Sequence, residues 1–277
     1  MKINLFILGL QRAGTTSLYE LLKESDNVSF TLIKETNIFS DNIFKKLNHN
    51  KHSSFKLNLN NLNSYIKRKP NSKYLIEASV NYFYSIMAPK KIYEYNPMSK
   101  FIIIYRKPIE RIKSHYLMDI SQNYHSFHIN ECLYNEIYKN KIMGSDLGYL
   151  KMSKFNIFFK NWLKYFNRDN FLLIDFESIK RQTTLNDKLE KFLSIKIKNK
   201  ILKINSSHKF KNELFLKLFI LLKENNFINQ KLNILKRCLP FFLSNNKEIK
   251  DFDNNILKDL DDYFHEDTQY FNLLKDI

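Results

Sequence analysis

Cysteine, glycine and proline are all scarce in this sequence. Cys132 and Cys238 are its two cysteines, too few for a disulfide framework and without the spacing of metal ligands. Four glycines and five prolines are too few for a collagenous chain. No window approaches the roughly 18 uncharged apolar residues of a membrane span, because Lys217 and Lys223 interrupt the nearest candidate at residues 215–222. We therefore expect two reduced thiols and no transmembrane segment.

The pattern at the start of the sequence is not typical of a leader peptide, and we expect none. Residues 3–8 form a short apolar run after a single lysine, and the chain then passes directly into Gly9, Arg12 and Gly14 with no small-residue cleavage site. We therefore predict that residues 3–8 are a first buried strand and that the protein is cytoplasmic.

Apolar residues are plentiful, and positive charge is in excess. Hydrophobic residues make up 44% of the 277 residues, which is enough for a globular interior. The formal net charge of +17 is compatible with a nucleic-acid-binding protein, with an acidic ligand such as a nucleotide or a glycan, and with compositional drift toward lysine, asparagine and isoleucine. No stacking motif or recognition helix supports the first explanation, so we expect no specific nucleic-acid partner.

Buried strands and amphipathic helices alternate along the first two thirds of the chain. Apolar runs predict strands at residues 3–8, 28–33, 74–76, 101–105 and 171–176. Helical spacing predicts helices at residues 16–23, 108–120, 154–166, 185–193, 215–225 and 256–264. The alternation favours an α/β fold, with a doubly wound, mainly parallel sheet flanked by helices. We predict a single domain over residues 1–277, with an α/β core at 1–195 and a largely helical extension at 196–277.

The loop between the first strand and the first helix has the pattern of a phosphate-binding site. Gly9 and Gly14 permit backbone conformations that other residues resist, so successive N–H groups can face an anion at the start of the helix. Several side chains add a cation or hydroxyl donors. The residues that we predict to bind phosphate are Gln11, Arg12, Ala13, Gly14, Thr15, Thr16 and Ser17.

One position of this loop separates two classes of nucleotide-binding protein. The glycine spacing is that of the nucleoside-triphosphate P-loop, but Thr15 stands where that motif has lysine. Without the lysine, β- and γ-phosphates lose their main cation, and Asp175 is the best candidate for holding Mg²⁺. A P-loop kinase or NTPase stays open as an alternative on these residues.

Two segments resemble the phosphate-binding motifs of sulfotransferases that use 3′-phosphoadenosine 5′-phosphosulfate (PAPS). The first loop is similar to the family's G-x-x-K-x-G-T-[TS], with Arg12 in place of the lysine. Residues 101–116 are similar to its strand followed by R-x-[PD]-x-x-[RA]-x-x-S-x-[YW], which implies that Arg106 and Ser114 bind the 3′-phosphate. The resemblance implies the P-loop-like sulfotransferase fold, PAPS as cofactor, 3′-phosphoadenosine 5′-phosphate (PAP) as product, and no required metal.

The resemblance also implies a catalytic base after the second strand. Residues 33–39 resemble the K-E-P-x-F-F stretch of the glycan-modifying branch, whose glutamate is the general base, and here Thr36 replaces the proline. Glu35 is accordingly the predicted base. Arg12 is predicted to assist catalysis at the transferred group, and Lys34 to contact the sulfonate or the acceptor.

Two further pairs are predicted to contact ligands. Residues 77–82 resemble the family's E-x-S-P-x-Y segment, which implies that Glu77 and Ser79 face the acceptor or the sulfonate. Lys209 and Lys211 lie in a basic stretch and are predicted to cover the nucleotide.

The reaction that this resemblance implies is in-line transfer of a sulfuryl group from PAPS to a hydroxyl or amine. The sequence around Glu35 favours a carbohydrate acceptor, so a glycan or glycolipid is the expected partner. Segments 41–72 and 120–147 are expected to be loops that form the acceptor cleft. The sequence does not identify the acceptor or the oligomeric state. A family member that binds the nucleotide without catalysing transfer is a further alternative.

Overall fold

The computed structural model describes residues 2–41, 58–121, 124–125, 127–198 and 252–275. Two units are distinguished by their internal packing. Of the described residues, the sheet unit comprises 2–41, 58–107, 154–198 and 265–275, and the helical unit comprises 108–121, 124–125, 127–153 and 252–264. The organisation as one domain with a C-terminal extension stays a prediction.

Within the described residues, the sheet unit is built on six strands. They are β1 (Leu5–Gly9), β2 (Val28–Thr31), β3 (Ile66–Lys67), β4 (Tyr74–Glu77), β5 (Lys100–Tyr105) and β6 (Phe171–Asp175). The spatial order is β3-β2-β4-β1-β5-β6, and every pairing is parallel except that of β3 with β2. The predicted mainly parallel sheet is confirmed, and the carboxyl ends of its parallel strands share one edge.

Close contact between β1 and β5 determines where the first loop begins. All five residues of β1 are buried. A Cβ atom on Gly9 would lie 2.6 Å from the carbonyl oxygen of Ile104 on β5, and the Gly9 φ angle is 139°. The N–H of Leu10 donates to that same carbonyl at 3.1 Å. Only glycine fits at this point, so the chain leaves the sheet while still in contact with the neighbouring strand.

The helices of the described residues surround this sheet or belong to the helical unit. They are α1 (Thr15–Glu24), α2 (Asn81–Tyr84), α3 (Ala88–Tyr95), α4 (Pro108–Ser121), α5 (Ile129–Tyr138), α6 (Asn156–Trp162), α7 (Phe176–Lys180), α8 (Gln182–Leu193) and α9 (Asn254–Lys275). Single 3₁₀ turns lie at Leu62–Tyr65, Lys151–Ser153 and Arg168–Asn170. Across the described ranges, no helix combines the length and the apolar character needed to cross a membrane.

Lysine side chains close the carboxyl ends of two helices. The Lys69 Nζ donates to the carbonyl of Lys23, in the last turn of α1, at 2.5 Å and to that of Ser25, which follows the helix, at 2.7 Å. The Lys100 Nζ donates to the carbonyl of Phe192 in the last turn of α8, at 2.7 Å. The last carbonyls of a helix have no partner inside it and carry partial negative charge, so an ammonium group stabilises them. Part of the excess positive charge is therefore structural.

The helical unit contains a buried polar network beside its apolar core. Arg111 is fully buried, and it donates from Nε to the Ser153 hydroxyl at 2.7 Å and from Nη2 to the Tyr149 carbonyl at 2.9 Å. Asp119 is also fully buried, and it accepts from the Ser145 N–H and the Tyr149 hydroxyl, each at 2.9 Å. Burial raises the pKa of the Asp119 carboxyl. Buried charges persist only when hydrogen-bonded in this way, which points to a structural network.

The predicted elements agree with the structure where their apolar pattern is strong. Predicted strands correspond to β1, β2, β4, β5 and β6, and predicted helices to α1, α4, α6, α8 and part of α9. The two-residue β3, and the helices α2, α3 and α7, are missed. Helix α5 shows that the expectation of a loop over 120–147 is wrong, because Ile129, Cys132 and Leu133 form a buried stripe on one side of a helix. The predicted helix at 215–225 lies outside the described residues.

Candidate active site

The predicted site residues of the sheet unit follow the carboxyl ends of adjacent strands. Residues 10–14 follow β1, residues 34–37 come shortly after β2, residues 78–79 follow β4, and Arg106 follows β5. Strands β2, β4, β1 and β5 are consecutive and parallel, so these segments leave the same edge of the sheet. Open α/β sheets bind their ligands at this edge. The topology thus brings the predicted segments to one place.

The phosphate loop contains two residues in the left-handed region of backbone space. Arg12 has a φ angle of 71° and Gly14 one of 89°. Hydrogen bonds hold the turn: the Ala13 N–H donates to the Leu10 carbonyl at 3.1 Å, and the Gln11 N–H donates to the Tyr84 hydroxyl at 2.8 Å. A left-handed residue other than glycine is uncommon and is often found where a site is built.

The start of α1 is suited to an anion. Gly14 is the N-cap, and no side chain of the described residues caps the helix there. Its first turn contains no acidic residue. The first N–H groups of a helix have no partner within it and lie at the positive end of the helix dipole. Thr16 is exposed in this turn, whereas Thr15 and Ser17 are buried. The loop can therefore hold a phosphate with backbone donors and the Thr16 hydroxyl.

Arg106 lies directly beside the phosphate loop. Its Nη1 donates to the carbonyl oxygen of Arg12 at 2.9 Å. Its guanidinium carbon also lies 4.6 Å from the centre of the Phe176 ring, in a cation–π contact. A Cβ atom on Gly14 would lie 3.1 Å from that same ring. The Phe176 ring thus contacts both Arg106 and the phosphate loop.

Ser114 lies on α4, in the helical unit, and its side chain is buried. Arg106 belongs to the sheet unit. Joint binding of one phosphate by Arg106 and Ser114 stays a prediction.

The predicted base lies in a tight turn after β2. Glu35 has a φ angle of 60°, and 44% of its side chain is exposed. The Lys34 Nζ forms an ion pair with Glu35 Oε1 at 2.9 Å. A carboxylate that lies at the ligand-binding edge and is reachable from solvent is placed to accept a proton from a bound acceptor.

Glu77 is a buried carboxyl group next to this turn. Its exposure is zero, and its Oε1 accepts from the Thr36 N–H at 3.1 Å, from the Thr36 hydroxyl at 2.8 Å and from the Ser79 hydroxyl at 2.5 Å. Burial raises the pKa of Glu77 to about 7, against the opposing effect of these hydrogen bonds. The group belongs to the site but is not open to solvent.

Comparison with known proteins identifies the family. The chain matches the model of the sulfotransferase domain family over residues 2–271. It belongs to the sulfotransferase family. The predicted family and enzyme class are confirmed.

Individual relatives of this sulfotransferase are distant. It is 27% identical over 199 residues, 68% of the chain, to the bifunctional heparan sulfate N-deacetylase/N-sulfotransferase 4 of Mus musculus, and that match spans 22% of the mouse protein. The crystal structure of a sulfotransferase from Alicyclobacillus acidocaldarius has a TM-score of 0.63 and 18% identity, covering 99% of this chain and 96% of the other. A mouse sulfotransferase complexed with PAP has a TM-score of 0.51 and 18% identity, covering 100% and 88%. These structures share the fold.

Several predicted residues of this sulfotransferase lie in positions that the sequence did not indicate. Asp175, considered above as a Mg²⁺ ligand, caps α7 by accepting from the Glu177 N–H at 2.9 Å. Glu77 and Ser79 are fully buried against the Glu35 turn, so contact with the acceptor stays a prediction for both. Lys209 and Lys211 lie outside the described residues.

Three contacts of the site were not foreseen. Thr36, at the family's proline position, supplies an N–H and an O–H donor to Glu77, and a proline has neither. The presence of threonine where the family motif has proline is the sequence feature that could have indicated these hydrogen bonds. Tyr84 and Phe176 contact the phosphate loop from distant points in the sequence, and no local pattern marks either of them.

Proposed function

We propose that this sulfotransferase transfers the sulfuryl group of PAPS to a hydroxyl or amine of a carbohydrate. The observation that supports this most strongly is the hydrogen bond from Arg106 to the Arg12 carbonyl, because it joins the two motifs that resemble the family's phosphate sites. When bound, PAPS would supply the sulfuryl group and a nucleotide that leaves as a stable anion. The uncapped start of α1 and the left-handed Arg12 fit its 5′-phosphosulfate.

Each residue then has a distinct part. The loop amides, Arg12 and Thr16 would hold the 5′-phosphosulfate, and Arg106 and Ser114 the 3′-phosphate. Arg12 would also stabilise charge that develops on the departing phosphate oxygen. Glu35 would accept the proton of the acceptor as the new S–O or S–N bond forms and the bond from sulfur to the phosphate oxygen breaks, and its ion pair with Lys34 would hold the carboxylate in place.

A carbohydrate is proposed as the acceptor class on two grounds. The Glu35 segment resembles the glycan-modifying branch, and the mouse relative named above is a heparan sulfate N-sulfotransferase by description. The net charge of +17 is compatible with an acidic polysaccharide, since opposite charge speeds encounter. Transfer to a hydroxyl and transfer to an amine are both chemically open to a carboxylate base.

Nucleotide binding is the first experiment. We expect PAP to raise the melting temperature of the full-length protein and ATP with Mg²⁺ to raise it far less, because binding to the folded state alone stabilises it. The Arg106→Ala variant should lose the PAP effect, and the exposed Arg68→Ala variant should keep it. Equal effects of PAP and ATP, or none from either, would overturn the proposal.

A second experiment identifies the acceptor. Radiolabelled PAPS would be incubated with de-N-sulfated heparin, desulfated chondroitin, a glycolipid and a simple phenol. We expect label in a carbohydrate and none in the phenol. Transfer to the phenol alone would contradict the acceptor class while leaving the sulfotransferase activity in place.

A further inference from the structure

Three consecutive backbone N–H groups of the Glu35 turn donate to three consecutive residues at the end of β4, of which the first, Glu77, is the last residue of the strand. The Glu35 N–H donates to the Ala78 carbonyl, the Thr36 N–H to Glu77 Oε1, and the Asn37 N–H to the Ser79 hydroxyl, each at 3.1 Å. The two segments are 42 residues apart along the chain in the bond from Asn37 to Ser79. Because these three N–H groups are all bonded, the backbone of the turn has little freedom to move, and the point from which the Glu35 side chain projects is fixed.

The turn needs such support because its backbone is unusual. Glu35 and Asn37 have φ angles of 60° and 52°, in the left-handed region that residues with a Cβ atom seldom occupy. Such conformations persist only where the surrounding structure imposes them. The left-handed geometry at Glu35 sets the direction in which the proposed base projects, and the bonds to residues 77–79 maintain it.

Glu77 is the centre of this arrangement. One oxygen, Oε1, accepts from Thr36 N–H, from the Thr36 hydroxyl and from the Ser79 hydroxyl, and the Ser79 oxygen in turn accepts from Asn37. The other oxygen, Oε2, is buried and has no hydrogen-bond partner among the described residues. Burying a carboxyl group with one oxygen unbonded has a free-energy cost. The three hydrogen bonds to the other oxygen are what hold the turn in place.

Resting on the proposed role of Glu35, we infer that Glu77 is a positioning residue for sulfuryl transfer, acting through the turn that carries the base. In this role Glu77, which is fully buried, would act without touching the reacting atoms. Its Oε1 fixes Thr36 directly and Asn37 through Ser79, so the two residues that follow Glu35 are anchored, and Glu35 itself donates its N–H to the Ala78 carbonyl. The inference predicts that a change at Glu77 affects the transfer step and leaves nucleotide binding by the separate phosphate loop intact.

The test is a double-mutant cycle with Glu77→Leu and Glu35→Gln, measured as transfer of label from PAPS to the best carbohydrate of the screen above. We expect Glu77→Leu to lower kcat by about 30-fold or more with PAP affinity within about threefold of wild type. In the Glu35→Gln background the same change should have little further effect, because the base through which it acts is gone. Glu77→Gln keeps an acceptor oxygen and should retain transfer within about threefold.

Other outcomes separate the inference from the proposed function. Equal losses from Glu77→Leu with and without Glu35 would show a purely structural role and overturn the inference alone. Full activity of Glu35→Gln would contradict both the assignment of Glu35 as the base and this inference, but it would not contradict the enzyme class. If no acceptor is labelled by wild type, the proposed function fails and this inference fails with it.

A second variant and a second measurement cover the case in which Glu77→Leu does not fold. Ser79→Ala removes one donor to Glu77 and the acceptor of the Asn37 N–H. We expect amide hydrogen exchange at Asn37 to accelerate by about tenfold or more in the full-length protein, with exchange in residues 10–18 unchanged. Transfer should fall by about three- to tenfold, again only when Glu35 is present. Unchanged exchange at Asn37 would overturn the inference.

Discussion

The guanidinium of Arg106 donates a hydrogen bond to the main-chain carbonyl of Arg12, with Nη1 and the oxygen 2.9 Å apart. This bond joins the end of β5 to the loop after β1, two segments that are 94 residues apart. It turns the Arg12 carbonyl toward a cation, which is compatible with the left-handed conformation of that residue. A residue proposed to bind the 3′-phosphate therefore also shapes the loop proposed to bind the 5′-phosphosulfate.

Substitution of Arg106 should affect nucleotide binding in graded fashion. Arg106→Lys keeps the charge but loses the planar fork and its stacking on Phe176, so PAP affinity should fall about tenfold. Arg106→Ala loses both and should cost about 100-fold, close to the value of a charge-assisted hydrogen-bonded contact. Isothermal titration with PAP measures each affinity, and Arg68→Ala is the matched control. Affinity for PAP that is unchanged in Arg106→Ala would contradict the assignment.

The two glycines of the phosphate loop should differ in what they support. Gly9→Ala places a Cβ atom 2.6 Å from a backbone oxygen of β5, which cannot move without disturbing the sheet, so we expect a loss of about 3 kcal/mol or more in unfolding free energy. Gly14→Ala meets the Phe176 ring at 3.1 Å, which can shift, and should cost about 1 to 2 kcal/mol. Urea denaturation compares them. Equal losses would contradict this distinction.

The strands and the phosphate loop were predictable because each depends on a local pattern. Residues 101–105 are apolar without interruption, as a strand buried on both faces must be, and β5 follows them closely. The loop at residues 9–17 combines glycines, a cation and hydroxyls in a spacing that backbone geometry requires. These features can be recognised without knowing what lies across the sheet.

The contacts that hold the Glu35 turn were not predictable in the same way. Glu77 was predicted to face the acceptor, and its burial depends on which segments meet at the sheet edge. Thr36 bonds to it across 41 residues of chain. Helix α3 was missed because its sequence, APKKIYEY, is mostly polar and buries only Ala88, Pro89 and Ile92. Such features are set by tertiary packing, which a local pattern does not encode.

Glu77 should make stability fall as pH rises. Its pKa is about 7 in the folded protein, against an ordinary value of 4.5. Between these values the folded state keeps a proton that the unfolded chain releases, so unfolding becomes easier as pH increases and levels off above about 7. The full effect is about 3 kcal/mol, and the buried carboxyls of Asp119 and Asp267, whose pKa values are also raised, act in the same direction.

Urea denaturation at several pH values between about 4.5 and 7.5 measures this dependence. Glu77→Gln cannot ionise, so its stability should change less across the range than that of wild type. Glu94→Gln, at an exposed position on α3, is the control and should behave as wild type. A wild-type stability that rises through this window would contradict the raised pKa of Glu77.

Asp267 should stabilise the sheet unit by joining the last part of α9 to the start of α6. Its buried carboxylate accepts from the N–H groups of Phe155 at 2.8 Å and Asn156 at 2.8 Å, at the start of α6. Asp267→Ala leaves two buried or partly buried donors without an acceptor and removes a favourable charge at a helix start, so we expect a loss of about 2 kcal/mol in unfolding free energy. The exposed neighbour variant Glu266→Ala should stay within about 0.5 kcal/mol of wild type. Asp267 lies on the segment of α9 that belongs to the sheet unit, and deletion of residues 265–277 tests the whole segment. A loss of unfolding free energy in both Asp267→Ala and the deletion variant would show that the segment is part of the folded core. An unchanged unfolding free energy in both variants would show that it is not.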